Sequence, residues 1–201
     1  MRSSGGAESL NKLFGIGEIY TSPARFRSIT YREIIAEFEK RPRRHRIINR
    51  GGTAGSWQAF PPDATDNFEH ADDASLVLLG NFYGTRVLLL SDLGREGQSA
   101  LLSRTNHLRA DIVIAGLPDE GEPLCDVLLD TAQPKVIVIA DSEFPATRRA
   151  SPKLRARLEQ KGIPVIYTRT AGAVTILLRP GGWELHTMDG QKNSNRTAAG
   201  N

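Results

Sequence analysis

Residues 74–116 constrain this chain more than any other stretch: ASLVLLGNFYGTRVLLLSDLGREGQSALLSRTNHLRADIVIAG. Two apolar runs of strand length, 75–79 and 85–90, are separated by Gly80, Asn81 and Gly84, which predicts a hairpin of largely buried strands turning near those residues. The second run stops at Ser91 and Asp92. Gly94 and a short amphipathic helix follow, with Leu101 and Leu102 opposite Arg95, Glu96 and Gln98, and then a third apolar run over 111–115. A carboxylate at the carboxyl end of a buried strand, just before a helix, is where α/β folds commonly place a working group, and also where a helix cap belongs.

The rest of the chain supplies elements of the same kinds. Residues 7–14 read as a short helix with Leu10, Leu13 and Phe14 on one face, ended by Gly15. A second helix is expected over 30–41, with Tyr31, Ile34, Ile35 and Phe38 at helical spacing and Pro42 as its stop. Short strands are expected at 18–21, 45–49 and 56–60, followed by an acidic loop over 61–71. Beyond residue 116 come a long turn to Pro123, a helix over 124–132, a buried strand over 136–140, and a helix started by Ser151-Pro152 and stopped by Gly162. Strands at 165–168, 174–178 and 183–187 complete the pattern. The fold class is therefore α/β. One domain is expected over residues 1–188, with 189–201 a disordered polar tail, since that stretch has almost no apolar residues.

Composition excludes several functions. The 201 residues suit one domain with a real core at 39% hydrophobic content. A single cysteine, Cys125, excludes an internal disulfide framework and a thiolate zinc site built by this chain alone, and its apolar surroundings make it a core residue. No apolar run approaches the roughly 20 residues of a spanning helix, and no signal segment opens the chain, so it reads as soluble. No Gly-rich dinucleotide motif, P-loop or serine-nucleophile elbow occurs. The net charge of +3 implies no polyanionic partner, yet residues 21–50 carry nine Arg or Lys against three Glu. Arg41, Arg43, Arg44 and Arg46, with Arg25, Arg27 and Arg50 near them, form a candidate phosphate-contacting cluster. A further basic set, Arg148, Arg149, Lys153, Arg155, Arg157 and Lys161, lies on or before the late helix, and either set is equally readable as a solvated charged face.

The order of hairpin, Leu-Ser-Asp, helix, Arg-Ala-Asp-Ile-Val, glycine turn, Pro-Lys-Val-Ile-Val-Ile and Gly-Ala-Val-Thr-Ile resembles the metallo-β-lactamase-like domain at the carboxyl end of ComEC competence proteins. The resemblance covers residues from about 5 to about 185. It implies an αββα sandwich, zinc or manganese in active relatives, and a link to DNA uptake. Ala71-Asp72-Asp73-Ala74-Ser75 matches the family's opening of its first strand here, and Leu90-Ser91-Asp92 matches the strand whose Asp bridges metal ions in active relatives. Gly5-Gly6 matches the glycine pair that follows the family's His-x-His-x-Asp-His motif. The resemblance therefore implies that the amino-terminal strands are missing, with roughly 50 to 100 further residues upstream, on the scale of half a small domain. Sheet edges around Ile19, Ile47 and Trp57 would then lack neighbours and invite association with another chain.

The family's ligand set is reduced in this chain. Where relatives carry a Gly-His-His turn, Gly116-Leu117-Pro118-Asp119-Glu120-Gly121 stands, and none of His45, His70, His107 and His186 falls at a ligand position. A catalytic zinc site needs about three protein ligands and an open position. Asp92 is the vestigial member of that set, and Asp119 stands beside a former histidine position; with Glu120 and Glu122 they offer hard oxygen donors suited to Mg²⁺ or Ca²⁺, or simply a solvated acidic turn. The expectation is a catalytically silent ComEC-like domain, with no catalytic residue and no cofactor in this chain, that contacts DNA non-specifically or is a structural remnant. Its rival is a metal-dependent phosphodiesterase or nuclease whose missing ligands lie upstream. As part of a ComEC protein the domain would lie beside a membrane it does not enter; otherwise it would be cytoplasmic, and the sequence does not choose between these locations.

Overall fold

The computed structural model describes residues 7–24 and 28–196. Helix α1 (Ala7–Phe14) leads into β1 (Ile19–Thr21), which pairs in parallel with β2 (His45–Ile47) across α2 (Ile29–Glu39). Ser28 caps α2 by accepting from the Tyr31 N–H, and Phe38 is the residue of its apolar stripe that becomes fully buried. The α1 stripe forms as read but stays largely uncovered: Leu10, Leu13 and Phe14 are 50%, 75% and 78% exposed.

A seven-stranded mixed sheet follows. Strands β3 (Thr53–Ala54), β4 (Trp57–Phe60), β5 (Val77–Phe82) and β6 (Thr85–Leu89) run antiparallel to one another, and β7 (Ile112–Ala115), β8 (Val136–Ile139) and β9 (Val165–Tyr167) continue in parallel from β6. Each parallel step needs a crossover, supplied in turn by α3 (Arg95–Arg104), α4 (Asp126–Ala132) and α5 (Pro152–Gln160). After β9 a short helix, α6 (Thr168–Ala171), leads to a separate antiparallel sheet of β10 (Val174–Arg179), β11 (Gly182–Thr187) and β12 (Lys192–Arg196).

Side-chain alternation then places the layers. Leu88, Val113, Ile137 and Ile139 face Leu101, Leu128, Leu154 and Leu158 of the three crossover helices. Their neighbours Val87, Ile112, Val136 and Val138 point the other way, against Trp183 and Leu185 of β11 and Val174 and Ile176 of β10. Successive strand residues point to opposite faces, so the continuous apolar runs of β6 to β8 are explained by burial on both sides. The layers are helices, large sheet and small sheet, an α/β architecture. Among the described residues no helix is long and apolar enough to cross a membrane.

Three expectations are corrected. The β5–β6 hairpin turns at Tyr83 and Gly84, both left-handed (φ 53° and 84°), not at Gly80 and Asn81, which remain in the strand. Two consecutive positive φ values match the twist of flanking strands, and Gly80 is needed for close packing, because a Cβ there would lie 2.3 Å from the Phe82 ring. Within the tail read as disordered, residues 192–196 form β12, held by backbone pairing to β11 that requires no apolar side chain; residues 197–201 lie outside the described residues. Of the supposed open edges, Ile19 is paired through β2, and Trp57 sits between β3 and β5 with its ring edge-on to Phe82 at 5.0 Å. Ile47 remains 57% exposed.

Truncating the shared core should be costly where two layers meet. Leu185→Ala is expected to destabilise the fold by about 2–5 kcal/mol, whereas Val127→Ala, 63% exposed on α4, should fall within about 0.5 kcal/mol of the parent. Urea denaturation of both variants checks this, and equal midpoints would contradict the layer assignment.

Candidate functional site

The carboxyl ends of β6 and β7 lie side by side, and the residues leaving them build the site. The Leu90 N–H still pairs with the Ile114 carbonyl (2.9 Å), then Ser91 turns left-handed at φ 53° and its carbonyl accepts from the Gly116 N–H at 2.7 Å. This kink lifts the half-buried Asp92 across the next strand exit. A Cβ on Gly116 would stand 1.8 Å from Asp92 Oδ1, so the carboxylate occupies space that only glycine leaves open.

The Ala71–Ala74 turn closes the same end from the other side. Helix α3 begins at Gly94, whose lack of a side chain leaves its first amides uncapped. Asp73 substitutes from outside: its buried carboxylate accepts the Gly97 N–H at 2.8 Å, and the Asp72 carbonyl accepts the Gly94 N–H at 3.4 Å. Negative charge beside a helix amino end is favourable in its own right. Asp72 reaches onward, its Oδ2 accepting the Asp119 N–H at 2.7 Å, so the two acidic turns are joined through a backbone amide. Asp119 itself is exposed, and Glu120 beside it pairs with His70 at 3.4 Å.

Two residues whose roles sequence reasoning misses, Gln98 of the amphipathic helix and Arg157 of the late basic set, hold the 116–125 turn in place. Gln98, 2% exposed on α3, donates to the Leu93 and Glu122 carbonyls (3.0 and 3.1 Å) and accepts from the Cys125 N–H at 2.7 Å. Arg157 on α5 donates to the Leu124 and Pro123 carbonyls (2.8 and 3.0 Å) and to Glu122 and Asp126. Gln98, grouped with the polar face of α3 in the sequence reading, is instead buried: it lies three and four residues before Leu101 and Leu102 and so shares their face, where burial demands partners. For Arg157 the sequence carries no signal, because there it is indistinguishable from surface charge. Cys125 is partly buried against the main core.

Asp141, just past β8, is also missed by sequence reasoning. Its side chain is fully buried, accepting the Arg169 N–H (2.9 Å) and the Arg155 guanidinium (3.2 Å), while Arg155 also lies 3.9 Å over the Tyr167 ring. Lys161 pairs with Asp126 and Asp130, and Arg149 with Glu143. Much of the late basic set is therefore internal clamping. The same holds for half of the earlier one. Arg44 donates to Asn11, Ile16 and Gly17 and lies 4.7 Å over the Phe38 ring, tying α1 to α2, and Arg46 pairs with Glu18 at 2.8 Å. Arg41 and Arg43 are exposed in the turn between α2 and β2. Arg25 and Arg27 lie outside the described residues.

The donor set does not fit a metal ion. Among the described residues no three His, Cys, Asp or Glu side chains converge in ligand geometry. Asp72 and Asp73 each carry a backbone amide on a carboxylate oxygen, and His45, on β2 of the separate two-stranded sheet, is engaged by Thr21 and Glu39 at 2.9 and 3.0 Å. No family model matches the chain, and no curated protein matches it.

One ion pair at the carboxyl end of α3 gives a pH signature. Asp66 accepts a two-pronged hydrogen bond from Arg104 of α3, which holds its carboxyl below the ordinary aspartate value. A depressed folded-state value contributes stability that is present above the unfolded aspartate pKa of about 3.9 and lost as pH falls through the folded value. The stability difference between the parent and Asp66→Asn should thus be constant near neutrality and shrink below about pH 4. A difference unchanged down to the acid transition would show that the pair is not formed.

Proposed function

We propose that this chain is a catalytically silent, ComEC-like domain of the metallo-β-lactamase type. The layering of helices, large sheet and small sheet is compatible with three layers of an αββα sandwich. Asp92 leaves its strand where the resemblance expects a metal-bridging carboxylate. One observation carries the functional reading: the acidic groups around Asp92 are tied to backbone amides, through Asp119 to Asp72 and Gly97 to Asp73, and although His70 pairs with Glu120, among the described residues no three His, Cys, Asp or Glu side chains gather as a metal-ligand group. A carboxylate that accepts an amide in a helix cap holds two loops together; as a lone ligand it cannot compete with the hydration of a divalent ion. The strand-end architecture is thus retained as a structural lock.

The partner suggested by the resemblance is DNA, met through phosphate contacts without base reading. The exposed pair Arg41 and Arg43 is suited to this role, whereas Arg44 and Arg46 are held by internal bonds. Binding of this kind is expected to be weak and to fall steeply with salt.

Two measurements test the proposal. After equilibration with Zn²⁺ or Mn²⁺ and desalting, elemental analysis should find no stoichiometric metal, and the protein should leave phosphodiester substrates intact. One zinc per chain, lost on Asp92→Ala, would establish the rival metal-dependent hydrolase. In gel retardation, Arg41→Ala with Arg43→Ala should weaken DNA binding several-fold at low salt. Retardation unaffected by these changes, or unchanged between low and moderate salt, would remove DNA as the partner.

A further inference from the structure

A cavity of about 200 Å³ lies between the antiparallel half of the large sheet and α3. Its apolar wall comes from Phe60 on β4, Val77 on β5, Leu93 before α3, Leu101 within it, and Phe68 of the acidic loop. An apolar cavity of about 150 Å³ is enough to admit benzene, so the space suits a single ring with one short substituent.

Its polar lining selects what the substituent must be. Asp73 lines the cavity, is 4% exposed, and has the Gly97 N–H as the one polar partner of its carboxylate among the described residues. No cation among those residues neutralises it. Of the two arginines that also line the space, Arg104 is engaged by Asp66, and Arg50 is exposed and donates to the Arg104 carbonyl at 2.9 Å. A buried carboxylate with a single amide partner has acceptor capacity left over and gains most from a charge-assisted hydrogen bond.

We infer that this cavity is a binding site for a small aromatic or compact aliphatic amine, its apolar body against Phe60, Val77 and Leu101 and its ammonium on Asp73. The site shares Asp73 with the strand-exit acids and uses the acceptor capacity its carboxylate keeps beyond the Gly97 amide, so it rests on the reading of that carboxylate as a helix cap and not a metal ligand. The Asp66–Arg104 pair fixes the loop that carries Phe68 and thereby one wall.

Benzylamine is the probe, with benzyl alcohol and benzoate as neutral and anionic counterparts, followed by titration calorimetry and saturation-transfer NMR on the full chain. Benzylamine should bind with a Kd on the order of millimolar or tighter, and the other two at least about tenfold more weakly. Asp73→Asn keeps an oxygen to accept the Gly97 N–H but removes the charge, and should weaken benzylamine about tenfold or more without changing the weak binding of benzyl alcohol. Ala100→Leu leaves Asp73 in place and fills the cavity, and should abolish binding of all three; it serves as the test if the Asp73 variant fails to fold. Benzoate binding as tightly as benzylamine, equal benzylamine affinity in Asp73→Asn, undiminished binding in Ala100→Leu, or no benzylamine binding at millimolar concentration would each overturn the inference.

Discussion

Burial of β6 to β8 on both faces is the constraint from which the other features follow. Each of these strands sends alternate side chains into two cores, Leu88 and Ile137 toward the helices and Val87 and Val136 toward the small sheet. Neither layer can be removed without exposing a continuous apolar surface, and parallel pairing forces each connection to cross one face as a helix. Working groups are consequently left at the strand ends, where the chain leaves the sheet. Asp92, Gly116 and Asp141 all sit just beyond the carboxyl ends of β6, β7 and β8, and loop residues from distant parts of the sequence meet them there.

At those exits the carboxylates act structurally, through backbone amides and guanidinium groups. Asp73 caps α3, Asp72 fastens the 116–121 turn, and Asp141 gathers Arg155, Arg169 and the start of α6. These partners come from other elements of the chain, so the acids act as cross-links between crossover loops. Charge is also distributed this way on the outer helices, where Arg157 and Lys161 bind the acids of α4 and the turn before it. The formally basic late helix therefore presents less free positive charge than its composition suggests.

The elements that the sequence displayed most clearly were those governed by local rules. Ser151-Pro152 at the start of α5 and Gly162 after it behave as a capped helix, with the Leu154 N–H on Ser151 Oγ at 3.0 Å. Turn placement in the β5–β6 hairpin was less legible, because Gly80 is required by the Phe82 ring on its own strand and the Trp57 ring on the neighbouring one and not by backbone curvature. Strand β12 was hidden for a related reason: its pairing uses backbone groups, and its side chains carry little apolar signal. Asp92 stood out by its place after a strand, but Asp141, Gln98 and Arg157 did not, since their roles depend on partners brought together only by the fold. Arg44 shows the converse, a residue that resembles a phosphate contact in an arginine run and proves to be an internal clamp.

The central claim is that the strand-exit acids form a backbone-amide lock in place of a metal site. A crystal structure of the chain grown with Zn²⁺, with anomalous differences recorded at the zinc edge, tests it most directly. Expected are Asp72 on the Asp119 N–H, Asp73 on the Gly97 N–H, and no anomalous peak within bonding distance of Asp92. A zinc ion bound by Asp92 together with Asp72 or Asp119, with those amide bonds released, would contradict it.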